Sequence, residues 1–364
     1  MSDPLFNLLT GLTVGLMSLP LVPLQGQPQK KEPGSGADPL PSWNAGPAKN
    51  SVVSFVDRIC KKGSQDFVPA SERIAVFDND GTLWSEQPVP TQLAFAIDRI
   101  KSLAPQHPEW REQEPFQSIL KGDLKSAFSD GEKSAAALLA TTHAGMSTDE
   151  FERNVREWLK TARHPRSKRL YSELVYQPML EVLEYLRENE FKIYIVSGGG
   201  VDFIRAVSQD IYAIPPEQVV GSTGKTSYEV KNGKPVLMKL PQVEFVDDGP
   251  GKPVAIHHFI GRKPLMVFGN SDGDFEMLQW GTSREEGPSF GLFVQHTDAL
   301  REWKYDQNTV VGKLDRGLKE ASQKGWTIVD MKKDWKIVYP FEKQNEELRR
   351  SGSSTEPIPP VEGP

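Results

Sequence analysis

Three short apolar runs, each ending abruptly in small and polar residues, constrain this chain more than any other feature. They are residues 73–77 (RIAVF), 191–196 (FKIYIV) and 264–268 (PLMVF). Runs of this length, rich in β-branched and aromatic side chains, read as strands buried on both faces. Residues 290–294 (FGLFV) read as another. Helical periodicity lies between them, most clearly over residues 176–189. Strand–helix alternation predicts an α/β fold, a Rossmann-like doubly wound parallel sheet with helices on both faces. Such sheets bind ligands beyond the carboxyl ends of their strands, which is where the polar clusters fall.

The long segment between the first two runs carries amphipathic helical patterns at 91–103 and 147–162, the latter opened by Ser147 and Glu150 in capping-box spacing. It predicts a mostly helical cap inserted after the first strand. Asn232-Gly233, between the extended runs 228–230 and 235–240, predicts a β-hairpin. The expected organisation is a signal-like segment and linker over 1–50, a core from 51–87 and 168–340, the cap over 88–167, and a disordered tail over 341–364.

The first run ends in Asp78-Asn79-Asp80-Gly81-Thr82. Carboxylates two residues apart face one pocket when the backbone turns beyond the strand, and Gly81 permits the turn. A phosphoryl group is anionic, so an aspartate that attacks one needs a metal ion to neutralise both. A second carboxylate can protonate the leaving oxygen and then activate water. The competing reading is an ordinary Asp/Asn/Gly turn. The second run ends in Ser197-Gly198-Gly199-Gly200, a hydroxyl and bare N–H groups ahead of a helix, which suit an anion. The third ends in Gly269-Asn270-Ser271-Asp272-Gly273-Asp274, whose clustered carboxylates suit a hard cation. Lys252 precedes that run in Gly251-Lys252-Pro253. His257-His258 has no third ligand placed by sequence and reads as helix surface. Trp84 is either core or pocket wall, and His296 and Asp298 are candidates for the pocket's edge.

Acid pair, serine, lysine and acid cluster, in that order and each beyond or before an apolar strand, resemble the haloacid dehalogenase superfamily of phosphohydrolases. The resemblance covers residues 70–300. It implies that Asp78 is the nucleophile forming an aspartyl-phosphate and that Asp80 is the general acid/base, its backbone carbonyl also reaching Mg²⁺. It implies that Thr82 supports Asp80, that Ser197 and the Gly198–Gly199 backbone hold phosphate, and that Lys252 fills the family's lysine role. The cap and hairpin are most similar to the phosphoserine phosphatase branch, where a glutamate soon after the first motif contacts substrate, a place Glu86 matches. One departure stands out: the fourth motif begins Gly269-Asn270 where the family has Gly-Asp. Asn270 and Asp274 then occupy the metal-binding positions together with Asp78 and Asp80; an amide oxygen can ligate Mg²⁺ but supplies no charge, so either the site binds metal more weakly or Asp272 takes part.

The implied function is Mg²⁺-dependent hydrolysis of a small phosphomonoester such as phosphoserine. Its rivals are a pyrophosphatase or phosphotransferase of the same fold and a catalytically silent binding protein. A net charge of −6 over 364 residues argues against a nucleic-acid partner. The lone cysteine, Cys60, excludes an intramolecular disulfide and a cysteine-rich metal site. Residues 5–24 are mostly apolar but interrupted by Pro20, Pro23 and polar residues, too broken for a stable membrane span. They resemble the centre of a secretory signal, which predicts export to the periplasm or medium, the alternative being the cytoplasm.

Overall fold

A computed structural model describes residues 38–127, 138, 141–305, 307, 309 and 311–343. Seven strands form one sheet: β1 (Ile74–Phe77), β2 (Lys192–Gly200), β3 (Val219–Lys231), β4 (Lys234–Phe245), β5 (Met266–Gly269), β6 (Phe290–Gln295) and β7 (Thr327–Asp330). Their order is β4-β3-β2-β1-β5-β6-β7. All neighbours run parallel except β3 and β4.

β1 is central. Phe77 lies opposite Ile195 of β2 on one side and Phe268 of β5 on the other. The chain builds outward from β1 through β2 and β3, then crosses back to begin again at β5. That reversal opens a crevice at the carboxyl end of β1, the usual ligand position in such sheets. All four residues of β1 are buried, as its unbroken apolar run requires. The ring of Phe77 stacks on Phe268 at 4.2 Å. The hairpin forms where expected: Asn232 and Gly233 both take positive φ, 53° and 76°, the combination that matches the twist of paired strands.

The segment after β1 is helical, with Thr91–Leu103, Phe116–Lys121 and Thr148–Leu159 as its main helices. Ile97, Ile100, Trp110, Phe116 and Ile119 bury one another in a small core of their own. Phe95 instead meets Phe203 of the main body at 5.6 Å, tying the cap down. Ser147 and Glu150 form the capping box, each side chain bonding the other residue's backbone N–H.

Pro39–Pro364 is one compact unit; the other, Met1–Asp38, lies outside the described residues except for Asp38. The expected export signal therefore falls outside them. No described helix is long and apolar enough to cross a membrane. The linker expected up to residue 50 is corrected at its end. Leu40 and Trp43 are buried, the Trp43 indole donates to the Pro178 carbonyl at 3.0 Å, and a helix runs over Pro47–Cys60. Two large apolar side chains outweigh the Pro/Gly-rich composition around them. The tail expected from residue 341 also starts too early, because Phe341 packs against the core; the tail residues from 344 on lie outside the described ones. His257 and His258 are exposed on the segment Ile256–Ile260.

Candidate active site

A cavity of about 560 Å³ opens at the carboxyl ends of β1, β2 and β5. Asp78, Asp80, Ser197, Gly198, Gly199 and Lys252 all line it. The short helix Gly251–Ala255 delivers Lys252 from beneath. Its ammonium meets Asp78 Oδ1 at 2.7 Å, Asp274 Oδ1 at 2.5 Å and the Val196 carbonyl at 3.1 Å. Three acceptors match the three N–H bonds of an ammonium. Burial by itself would push Lys252 down, but Asp274 and Asp78 outweigh it, and the lysine is held above its ordinary value as a cation. Burial and the nearby Asp274 raise Asp78, and Lys252 opposes them.

Asp80 takes the Trp84 indole N–H at 2.9 Å, which assigns Trp84 to the core with one polar contact to the site. Burial raises the Asp80 carboxyl, with Trp84 and Lys252 pulling the other way. A carboxyl shifted in this direction is better suited to proton transfer than a free aspartate. Across the cavity, the Ser197 hydroxyl accepts the Gly199 N–H at 3.1 Å. A methyl group added at Gly199 would lie 3.4 Å from Asp80 Oδ2, an ordinary contact distance, so the glycine loop and the Asp80 carboxylate are close neighbours.

The cluster after β5 behaves differently from expectation. Asn270 is buried; its Oδ1 accepts from the Thr82 hydroxyl at 3.1 Å and its Nδ2 donates to Glu86 Oε1 at 2.7 Å. Thr82, expected beside Asp80 at the phosphate site, is thereby placed as a support for Asn270. Asp274 is corrected from a metal position: one oxygen holds Lys252, and the other accepts the N–H groups of Asn270 and Ser271 at 2.9 and 3.0 Å. Asp272 lines the cavity, but its carboxylate is already engaged. Its carboxylate accepts the backbone N–H groups of Asp315, Arg316 and Gly317, capping the helix Arg316–Lys324. Sequence spacing fits a metal cluster and a helix cap equally well, and the β6-to-β7 connection decides in favour of the cap.

Glu86 does line the cavity. Besides Asn270, its Oε1 accepts the Tyr305 hydroxyl at 2.7 Å. Two glycines with positive φ hold it: a methyl group at Gly81 would come within 2.4 Å of Oε1, and one at Gly312 within 2.2 Å. Burial, then Asp80 and Asp78, raise the Glu86 carboxyl, while Tyr305 and Asn270 favour its charged form. Asp78, Asp80 and Glu86 give the cavity hard oxygen donors that suit Mg²⁺. Among the described residues, no group of three or more His, Cys, Asp or Glu forms a ready metal cage.

The model of the haloacid dehalogenase-like hydrolases matches residues 75–279, more than half of the chain. The chain belongs to that family. No curated protein matches it. Among solved structures, it is similar to a conserved protein of unknown function from Anaerococcus prevotii at 16% identity, over 69% of this chain and 86% of that one, with a TM-score of 0.45. It is similar also to a probable phosphoserine phosphatase from Vibrio cholerae at 15% identity, over 80% and 70% of the two chains, with a TM-score of 0.39. A phosphoserine phosphohydrolase-like protein from Francisella tularensis matches at 14% identity, over 69% and 98%, with a TM-score of 0.34.

Sequence reasoning missed several residues of this hydrolase's site. Gln92, in the first turn of the helix Thr91–Leu103, lines the cavity and accepts the Gly200 N–H at 2.7 Å. His296 does not edge the pocket but lies buried behind it, with Nε2 2.8 Å from the Gly81 carbonyl and Nδ1 3.1 Å from Glu302 Oε2. Glu302 otherwise meets only donors, the hydroxyls of Ser85 and Tyr176 and the Trp303 N–H. His296 thus bridges the Gly81 carbonyl and Glu302 through its two ring nitrogens. Asp298 instead accepts the Leu300 and Arg301 N–H groups and pairs with the Arg301 guanidinium. Asp247 is fully buried, and neither carboxylate oxygen makes a hydrogen bond of good geometry, although the Ser197 backbone lies nearby. His296 and Asp298 had left a signal, as polar residues just after a buried strand, whereas Gln92 and Asp247 had not.

Proposed function

We propose that this hydrolase is a Mg²⁺-dependent phosphomonoesterase that works through an aspartyl-phosphate on Asp78, with a small phosphorylated metabolite such as phosphoserine as substrate. The observation that carries the reading is the pairing of Asp78 with the Lys252 ammonium on the cavity wall, opposite the hydroxyl of Ser197 and the bare glycine loop. A buried carboxylate held by a lysine beside an anion cradle suits attack on phosphorus.

Ser197 and the Gly198 N–H hold the phosphoryl oxygens. An oxygen of Asp78 attacks phosphorus, and the bond from phosphorus to the ester oxygen breaks. Asp80 gives its proton to the departing oxygen. Asp80 then takes a proton from water, and that water attacks the phosphorus of the Asp78 acyl phosphate, releasing inorganic phosphate and the free carboxylate. Lys252 keeps Asp78 aimed and offsets the charge gathered there. Asp78, Asp80 and Glu86 would hold Mg²⁺, which supplies the positive charge that lets a carboxylate approach a phosphate. The cap closes over the organic part of the substrate.

The test is phosphate release from a panel of phosphorylated metabolites by the purified chain with Mg²⁺. Activity is expected to stop with EDTA, return with Mg²⁺, and fall to background in Asp78→Asn. A folded Asp78→Asn protein with most of its activity left would overturn the mechanism.

A further inference from the structure

The fourth motif of this chain offers an amide where the family has a carboxylate, and the neighbouring acids do not replace it. Asp272 is committed to the N–H groups of residues 315–317, and Asp274 to Lys252 and the loop amides. Asn270 itself is buried, with both ends of its amide engaged by Thr82 and Glu86. Asp248 and Asp272 also line the cavity, but the lining acid bonded directly to Asn270 is Glu86, at 2.7 Å.

We infer that Glu86 supplies the negative charge toward the cation that Asn270 lacks, so that the two act as one hydrogen-bonded unit in place of a single carboxylate. The inference rests on the Mg²⁺ reading above and replaces the substrate contact expected for Glu86. The two residues presuppose each other. A carboxylate at position 270 would face Glu86 across 2.7 Å, and like charges at that distance repel strongly. An amide there donates to Glu86 and holds its carboxylate in place. Gly81 and Gly312 serve the same end, because a side chain at either position would collide with Glu86 Oε1. The affinity of a hard cation for an oxygen site follows the number of charged ligands, so the charge must come from somewhere.

The experiment is Mg²⁺ titration by calorimetry on the purified full chain, with thermal unfolding of the metal-free protein alongside. Four proteins are compared: wild type, Glu86→Gln, Asn270→Asp, and the double variant Glu86→Gln/Asn270→Asp. Glu86→Gln is expected to weaken Mg²⁺ by about tenfold or more. Asn270→Asp is expected to lower the melting temperature of the metal-free protein, because two carboxylates then face each other. The double variant, which swaps amide and carboxylate, is expected to bring back both the Mg²⁺ affinity and the melting temperature. Should Glu86→Gln not fold, the double variant carries the test by itself. Mg²⁺ binding of unchanged strength in Glu86→Gln, with an effect confined to substrate KM, overturns this inference alone. A wild-type chain that binds no Mg²⁺ overturns the functional reading beneath it.

Discussion

The two flanks of the Asp78–Thr82 turn are built on opposite principles. On the Lys252 flank, one cation is shared by Asp78, Asp274 and a backbone carbonyl, and charge is offset by charge. On the Glu86 flank no lysine or arginine faces Glu86 in a described hydrogen bond; the carboxylate is held by an amide and a phenol, and the turn itself by His296 on the Gly81 carbonyl. The first flank is saturated. The second keeps a carboxylate whose remaining need is a cation. Under the Mg²⁺ reading proposed above, this difference lets an anionic cavity offset its charge on one side and keep a carboxylate for the cation on the other.

The comparison breaks most easily at Lys252. Lys252→Met leaves Asp78 and Asp274 facing each other in a buried site without their shared ammonium. Removing one partner of a buried ion pair costs about 3–5 kcal/mol, so the variant is expected to lose activity and much of its stability together. Adding Asp274→Asn removes one of the orphaned charges and is expected to recover stability but not turnover. Denaturant unfolding and phosphate release on the single and double variants check both halves. Wild-type stability in Lys252→Met would mean that the ammonium is not the keystone of its flank.

The first flank was legible in the sequence and the second was not, for a physical reason. Asp78, Ser197 and Lys252 each sit beside a short apolar strand or at a helix start, and parallel strands bring their carboxyl ends together wherever the chain wanders between them. The Glu86 flank is assembled from side chains far apart in sequence, Thr82 and Asn270 being 188 positions apart and Glu86 and Tyr305 219. No local periodicity marks such partners. Asp272 and Asp274 misled for a related reason: an acidic cluster after a strand serves as a cap or as a ligand set depending on which backbone N–H groups arrive later. Trp43 was hidden differently, by a Pro/Gly-rich composition that averages over one buried indole.

His296 sharpens the contrast more gently. Its two ring nitrogens join the Gly81 carbonyl to Glu302. Glutamine at 296 can donate to one of these partners and leaves the other buried acceptor unmet, at a cost of about 1–3 kcal/mol. The expected signature is a lower kcat with KM little changed, since Gly81 follows Asp80 and the turn, not the phosphate cradle, is what shifts. Steady-state kinetics and urea unfolding on His296→Gln read this out. A change confined to KM would place His296 on the substrate side instead.

The smallest effect concerns the exception on the saturated flank. Asp247 lies near Lys252 yet is buried without a well-formed hydrogen bond, and burial pushes its carboxyl up to about 7, with the attraction of Lys252 already opposing the shift. An unfolded aspartate titrates near about 3.9. The folded state therefore holds the Asp247 proton over a range where the unfolded state has lost it. Stability associated with this group is fully present below about pH 4, falls as pH rises toward 7, and is level above that. Asparagine at 247 has no proton to lose, so the difference in stability between Asp247→Asn and wild type should grow in favour of the variant from pH 5 to pH 8. The buried amide is itself poorly satisfied, which returns part of the gain and leaves about 1 kcal/mol, or a few degrees of Tm, at pH 8. Thermal unfolding of both proteins at the two pH values measures it. A difference that stays constant with pH would show that Asp247 is compensated in the folded chain after all, and the Lys252 flank would then be saturated without exception.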